Sequence, residues 1–188
     1  MHTHTANRKA LVDTINIYSP YLNYSVTLTM KQKAKIRVKR FDNWDGEYNE
    51  RMVYLNEEIA KDQLKYFNTR LTHYAYGMDA RKTTTKYYAQ PLVIAALEGM
   101  NSDKRLHFHL AVGNLPTKNL FEVQTMISKA WADCDFGYKQ VRINELSDKF
   151  GWLDYLAKEV SVGNADAVCI DRIYQPQSIL EHVGAESS

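Results

Sequence analysis

The chain has 188 residues, of which 45% are hydrophobic and 12% are aromatic. This length and composition favour one domain with a real core, and they exclude collagen-like, low-complexity and wholly disordered proteins. The 24 Lys and Arg residues against 22 Asp and Glu give a net charge of +2, which excludes a uniformly basic nucleic-acid coat but allows a local basic patch. Two cysteines are too few for a disulfide framework, and no segment resembles a signal peptide or a membrane span. We therefore expect a soluble, cytoplasmic protein.

The predicted elements alternate between strands and helices. We expect an N-terminal arm or lead-in helix over residues 1–20, the main domain over 21–175 and a frayed tail over 176–188. In chain order the patterns predict a strand over 24–30, a helix over 52–76 ended by Gly77, a strand pair over 87–98 and 106–112, a helix over 117–132, a strand over 138–143, a helix over 148–160 and a last strand at 168–170. This order predicts an α+β domain around a central, mostly antiparallel sheet.

The segment from Glu98 to Leu110 carries the first chemical signal. Alternate side chains of a strand share a face, so His107 and His109 lie together, about 6.6 Å apart along the strand. A hairpin that pairs Glu98 with His107 places the carboxylate beside both imidazoles and leaves the opposite face continuously apolar. Two histidines and one carboxylate leave coordination positions open. This donor set favours a catalytic divalent ion such as Mn²⁺ or Mg²⁺ over a closed structural zinc.

Tyr155 and Lys158 carry the second signal. They are three residues apart on a predicted helix and so share a face, although such a pair taken alone is usually an ordinary surface contact. A tyrosine phenol has an unperturbed pKa near 10, which makes it a poor nucleophile at neutral pH. A metal-polarised phosphate and a nearby ammonium would both assist it.

The two signals together resemble the HUH endonucleases. His107-Phe108-His109 is similar to the histidine–hydrophobe–histidine motif of that superfamily, and Tyr155-Leu156-Ala157-Lys158 is similar to the single-tyrosine motif of rolling-circle replication initiators. The tyrosine follows the histidines, as in initiators, whereas relaxases carry it before them. The strand at 24–30 resembles the first motif of the family, and Glu98 stands where many members place a third metal ligand. The resemblance covers about residues 22–172.

The resemblance implies a five-stranded antiparallel sheet with flanking helices, and a Mn²⁺ or Mg²⁺ ion held by His107, His109 and Glu98. It also implies nicking of single-stranded or hairpin origin DNA of a plasmid or virus. Tyr155 would become joined to the 5′ phosphate and leave a free 3′ hydroxyl, with Lys158 assisting. No helicase phosphate-loop motif is present, so a host helicase and polymerase are the expected partners. Only one tyrosine stands in the Tyr155–Lys158 motif, which argues against a two-tyrosine mechanism.

Basic residues are expected to bind the DNA backbone without reading its sequence. Two other functions compete with the initiator: a transposase or mobile-element endonuclease that uses the same chemistry on hairpin DNA, and a non-catalytic single-stranded nucleic-acid-binding domain. For the basic residues themselves, solvated charge without a partner is the plain alternative. The candidate DNA-binding residues are Lys31, Lys33, Lys35, Arg37, Lys39, Arg70, Arg81, Lys82 and Lys86.

Overall fold

The computed structural model describes residues 2–39, 48–82, 84–99, 105–158, 167–169 and 173–186. Its helices are α1 (His2–Asn16), α2 (Glu57–Tyr76), α3 (Leu120–Ala132), α4 (Lys149–Leu156) and α5 (Gln177–Glu186). Its strands are β1 (Leu22–Met30), β2 (Lys33–Lys39), β3 (Tyr48–Tyr54), β4 (Leu92–Glu98), β5 (His107–Gly113) and β6 (Gly137–Glu145). The predicted α+β class is confirmed. Within the described ranges, no helix combines the length and the apolar character needed to cross a membrane.

The central sheet has four strands in the order β4-β5-β1-β6, and β2 and β3 form a separate two-stranded sheet. The single five-stranded sheet implied by the resemblance is therefore not found among the described residues. Beyond β4, the chain instead forms two isolated antiparallel bridges, which join Val93 to Tyr174 and Ala96 to Val168. These bridges satisfy backbone groups along the outer edge of β4, as a fifth strand would. The predicted strand at 168–170 is represented by one of them, and residue 170 lies outside the described residues.

The predicted hairpin register is confirmed. β4 and β5 pair antiparallel with Glu98 opposite His107 and Ala96 opposite His109. β1 lies on the other side of β5, where Thr27 is opposite His109. Since side chains that face each other across a sheet project to the same side, the carboxylate and both imidazoles share one face of the sheet.

Both faces of the central sheet are covered by helices. The first core contains Phe67 of α2, Trp131 of α3 and Phe108 of β5, all fully buried. The second core lies on the opposite face and contains Ile15 of α1 and Leu153 of α4. The second core also includes Ala96 and Ala111, which lie on the same face of β4 and β5 as the two histidines. Glu98, His107 and His109 therefore border an apolar region.

The long helix begins later than predicted. The sequence pattern placed its start near residue 52, but Tyr48–Tyr54 form strand β3 and pair with β2. Helix α2 begins after Asn56, whose side-chain oxygen accepts a hydrogen bond from the backbone N–H of Ile59. A polar N-cap of this kind satisfies an otherwise unpaired helix donor, so it marks the helix start more reliably than the apolar spacing does. Gly77 ends α2 as predicted, with a positive φ of 52°.

The C-terminal tail differs from the prediction as well. Residues Gln177–Glu186 form helix α5, where the sequence predicted a frayed end. The physical reason is apolar burial, because Ile179 of this helix is 3% exposed and belongs to the second core. Helix α4 ends at Leu156, earlier than the predicted residue 160, and residues 159–160 lie outside the described residues.

A close backbone approach at Gly113 gives a test of the fold. A Cβ atom at this position would overlap the backbone carbonyl oxygen of Tyr21, which belongs to a neighbouring segment and cannot move as a side chain would. Because overpacking a well-packed site costs about 1–3 kcal/mol, we expect Gly113→Ala to lower the free energy of unfolding by about that amount. The matched control is Ser128→Ala on the exposed face of α3, which should change it by less than about 0.5 kcal/mol. Urea unfolding followed by circular dichroism measures both variants, and equal stability would contradict the described packing.

Candidate active site

Three donor atoms converge at the open end of the β4–β5 hairpin. The Oε2 atom of Glu98 lies 3.6 Å from Nε2 of His107 and 3.5 Å from Nε2 of His109, and the two nitrogens lie 3.1 Å apart. Two donors that each lie about 2.1 Å from one ion are about 3.0 Å apart at right angles, and wider bond angles increase that separation. The observed distances match such a set, so the buried Glu98–His107–His109 group could bind a metal ion.

Outer contacts orient the two imidazoles. Nδ1 of His107 lies 2.8 Å from the backbone carbonyl oxygen of Arg105, which can only accept, so this nitrogen carries the proton and donates. Its Nε2 atom therefore presents a lone pair to the cluster. Nδ1 of His109 lies 3.0 Å from the Thr27 hydroxyl, so Nε2 of this ring also points into the cluster. Such outer partners are what fixes the tautomer and orientation of metal-binding histidines.

The Glu98 carboxylate is only partly satisfied by the protein. The residue is 5% exposed, and its Oε2 atom accepts a hydrogen bond from the Lys158 ammonium at 2.9 Å. Its Oε1 atom is buried and, among the described residues, has no hydrogen-bond partner. Leaving a buried acceptor unpaired costs about 1–3 kcal/mol, more for a charged group. A bound cation would offset that cost, so the carboxylate fits a metal site.

The electrostatics of the cluster keep its acid and its amine charged. Burial raises the pKa of Glu98, but the neighbouring His107, His109 and Lys158 side chains outweigh burial and hold that pKa well below its ordinary value. The Glu98 carboxylate in turn raises the pKa of His107, against the opposing effect of burial. Burial lowers the pKa of Lys158, but contacts with Glu98 and Tyr155 outweigh it and leave that pKa raised.

Helix α4 brings Tyr155 to the cluster. Asp148 caps the start of the helix, where its side chain accepts a hydrogen bond from the backbone N–H of Gly151 at 2.8 Å. The apolar side of the helix packs into the second core. This orientation places the Tyr155 hydroxyl 3.4 Å from Nε2 of His109. Lys158 follows the end of the helix, and its Nζ atom lies 3.8 Å from the centre of the Tyr155 ring.

Two further contacts hold α4 in place. The Trp152 ring stacks on the Tyr155 ring with centroids 5.2 Å apart and an interplanar angle of 14°, while its indole N–H donates to the carbonyl oxygen of Leu110 at 3.0 Å. On the outer side of the helix, Arg8 of α1 donates to the Asp154 carboxylate at 2.6 Å. The tyrosine ring is therefore fixed between an aromatic neighbour and an ammonium, and its helix is tied to both the sheet and α1.

The basic residues predicted from strand β2 lie on an exposed surface. Lys33, Lys35 and Arg37 alternate with the buried Ala34 and the partly buried Ile36, as the extended pattern predicts. Lys31 precedes the strand and donates to a backbone carbonyl, Lys35 pairs with a glutamate of β3 at 3.6 Å, and the Lys39 side chain lies outside the described residues. Lys33, Lys35 and Arg37 form an exposed surface on the two-stranded β2–β3 sheet, which we call the ribbon surface. None of these three residues lines the cleft next to His107 and His109.

The remaining basic residues mostly have structural contacts. The Arg70 guanidinium donates to the Asp133 carboxylate at 2.6 Å, which ties α2 to the end of α3. The Lys82 ammonium lies 2.6 Å from the carboxylate of Asp79, and Lys86 lies over the Tyr87 ring at 4.7 Å. Arg81 is exposed. The structure therefore does not bring these four residues to the Glu98–His107–His109 group.

A cleft beside the histidines contains residues that the sequence analysis did not single out. It has a volume of about 410 Å³. Strand alternation could have placed Arg105 on the histidine face, because it stands two residues before His107. Arg142 reaches this face only through the pairing of β1 with β6, which connects segments more than a hundred residues apart and has no signature in a single sequence. Besides His107 and His109, the lining residues are Thr27, Thr29, Arg105, Gln140 and Arg142.

No protein-family model, curated protein or solved structure matches the chain. The assignment of a function therefore depends on the geometry of the cluster and on the chemistry of its side chains.

Metal binding can be measured without any substrate. A ligand that binds only the folded state stabilises it, by about 2.7 kcal/mol at a concentration of 100 Kd. We expect Mn²⁺ to raise the midpoint of thermal unfolding of the parent protein, and EDTA to reverse the shift. The double variant His107→Ala/His109→Ala should show no Mn²⁺-dependent shift, and Glu98→Gln should show a reduced one.

The matched control is His73→Ala, because His73 lies exposed on α2 and has no part in the cluster. This variant should retain the full Mn²⁺-dependent shift. An equal shift in the double histidine variant and in the parent would show that the ion binds elsewhere.

Proposed function

We propose that the protein is a metal-dependent, single-tyrosine DNA nickase and strand transferase of the HUH kind, which initiates rolling-circle replication of a plasmid or virus on single-stranded or hairpin origin DNA. The observation that carries this proposal is the position of Tyr155. Its hydroxyl lies 3.4 Å from Nε2 of His109, although 46 residues separate the two in the chain. An ordinary surface Tyr-x-x-Lys pair would have no reason to face a buried group of metal-binding donors.

The donor set suits a divalent ion that must also bind substrate. Glu98, His107 and His109 would hold Mn²⁺ or Mg²⁺ and leave further coordination positions open. When bound, the ion acts as a Lewis acid that polarises a non-bridging oxygen of the scissile phosphodiester. The open cleft on the same face of the sheet gives a DNA strand access to that position.

The Tyr155 oxygen attacks the phosphorus of the scissile phosphodiester. A bond forms between this oxygen and the 5′ phosphate while the bond from phosphorus to the 3′ oxygen breaks. The phenolic proton passes to water in the open cleft, and the 3′ oxygen takes up a proton and leaves as a hydroxyl. One phosphoester replaces another, so a 3′ hydroxyl can later reverse the reaction without a nucleoside triphosphate.

Lys158 contributes through its charge. The ammonium lies over the Tyr155 ring, where it stabilises the negative charge that develops on the phenol oxygen. The same ammonium holds Oε2 of Glu98 at 2.9 Å. It therefore positions both the nucleophile and the carboxylate ligand.

The alternatives differ in what they require of this arrangement. A transposase or mobile-element endonuclease would use the same groups on hairpin transposon ends, so the DNA substrate separates it from an initiator. A non-catalytic single-stranded DNA-binding domain would need neither the donor cluster nor the nearby tyrosine. A covalent adduct between protein and DNA distinguishes both enzymes from the binding domain.

The nucleophile is tested by Tyr155→Phe, which removes only the phenolic oxygen. Incubation with a pool of single-stranded oligonucleotides and Mn²⁺ should give a protein–DNA adduct for the parent on a denaturing gel, and none for the variant. DNA binding and the Mn²⁺-dependent shift in unfolding temperature should persist in the variant. Tyr66→Phe is the matched control, because Tyr66 is exposed on α2, which packs against the other face of the sheet.

Peptide mapping of the parent adduct after nuclease digestion identifies the attacking residue. A nucleotide on Tyr155 is the expected result. A nucleotide on another tyrosine would overturn the assignment of the nucleophile, and cleavage without any attached protein would show metal-activated hydrolysis instead.

Lys158 is tested by substitutions that keep or remove its charge. Loss of one preorganised electrostatic contact typically reduces the rate by about 10²–10³-fold, so we expect Lys158→Ala to slow adduct formation by about that factor without abolishing it. Lys158→Arg should recover part of the rate. Lys149→Ala serves as the control at the other end of α4, because the described hydrogen bond of the Lys149 side chain goes to the backbone oxygen of Pro20 and not to the Glu98–His107–His109 group. Single-turnover kinetics measure all three, and an unchanged rate for Lys158→Ala would exclude the proposed role.

A further inference from the structure

Besides His107 and His109, the cleft has five lining residues that take no part in the bond-making steps of the proposed reaction. Its polar wall consists of two threonines, one glutamine and two arginines, and no carboxylate contributes to it among the described residues. Both arginines, Arg105 and Arg142, are exposed. Within the described part of the chain, neither guanidinium makes an ion pair or a side-chain hydrogen bond.

The strand registers place Arg142 and Thr27 in one row across the sheet with His109, which belongs to the Glu98–His107–His109 group. Thr27 of β1 is opposite His109 on β5 and opposite Arg142 on β6. Neighbouring strands are about 4.8 Å apart, so this row extends about 10 Å across the sheet from His109 to Arg142. The row ends at β6, which is the edge strand of the sheet.

The rest of this face is closed. Helices α1 and α4 cover the remainder of it with the second core, and Lys158 already compensates the charge of Glu98. Among the described residues, the open part of this face beside the Glu98–His107–His109 group therefore carries only positive charge and neutral hydrogen-bonding groups. Such a surface attracts a polyanion, and an arginine fork can bind a phosphate through two parallel hydrogen bonds.

We infer that this cleft binds the phosphodiester backbone of a single DNA strand on one side of the scissile phosphate, with Arg105 and Arg142 contacting phosphates. Thr29 and Gln140 lie between them and supply neutral hydrogen bonds to phosphate or sugar oxygens. The strand leaves the metal cluster across β1 and passes over the edge at β6. This inference deepens the proposed function and rests on it, because it names the path of the same substrate.

The ribbon surface on β2 is the competing location for the strand. Its cations Lys33, Lys35 and Arg37 were predicted from the sequence, but Lys35 is paired with Glu50 across the ribbon. The ribbon cations also do not line the cleft that contains the histidines. A strand bound only there would not present its phosphate to Tyr155.

The test measures binding alone, in the Tyr155→Phe background and in EDTA, so that no cleavage occurs. The probe is a fluorescein-labelled oligothymidylate of about 20 nucleotides, long enough to cover the cleft. We expect Arg105→Gln/Arg142→Gln to raise the Kd by at least about 10-fold at low salt. Each lost phosphate contact should also reduce the slope of log K against log salt by about 0.7, which gives about 1.4 for the pair.

The matched control is Lys139→Gln/Arg51→Gln, which removes the same charge from exposed strand positions outside the cleft. The control should keep the parent slope. An unchanged Kd and slope for the double arginine variant would overturn the inference, and so would equal losses in the two double variants, since that would reflect net charge alone. Loss of binding on Lys33→Gln/Lys35→Gln with none on the arginine variant would locate the strand on the ribbon surface instead.

Two further measurements distinguish a failure of the strand path from a failure of the proposed nickase activity. Thymidine monophosphate at the same phosphate concentration should not displace the oligonucleotide, and full displacement would show a mononucleotide site rather than a strand path. If the arginine variant loses binding as expected but the parent forms no covalent adduct with Mn²⁺, the strand path stands and the proposed nickase activity fails.

Discussion

The site depends on the pairing of β4 with β5 in a single register. With Glu98 opposite His107, the carboxylate and both imidazoles project to one side of the sheet while large apolar residues fill the other. A shift of one residue would move every one of these side chains to the wrong face, which would bury the imidazoles in the first core. The apolar core therefore enforces the geometry of the polar cluster, and the stability of the hairpin and the position of the metal donors have the same physical origin.

Helix α4 converts this donor cluster into a candidate catalytic site. Its leucines pack on the sheet, and the stacked Trp152 together with the Arg8–Asp154 ion pair limits its rotation. The phenol of Tyr155 is thereby held beside His109 rather than in solvent. Preorganisation of this kind reduces the reorganisation required during the reaction, which is how fixed groups lower an activation barrier. The Lys158 ammonium joins the two halves of the site because it contacts both Glu98 and Tyr155.

Local patterns carried most of the information about this site. The alternation of apolar and polar residues in β4 and β5 has one register that suits both faces, so the hairpin could be predicted from sequence. The pattern assigns residues 52–54 to the helix because Val53 suits either element, whereas pairing with β2 makes them the end of β3. The position of Arg142 beside the histidines could not be predicted, because it depends on the long-range pairing of β6 with β1. The ion pair between Arg70 and Asp133 likewise joins two helices whose relative position no local pattern specifies.

The central claim is that the metal donors and Tyr155 form one site on one phosphate. Crystals of the Tyr155→Phe variant grown with Mn²⁺ and a single-stranded oligonucleotide test it most directly, through the anomalous scattering of manganese. The account predicts one anomalous peak among Glu98, His107 and His109, in contact with a phosphate oxygen of a strand whose phosphorus faces residue 155. A manganese ion bound elsewhere, or a strand whose phosphate lies away from this cluster, would contradict it.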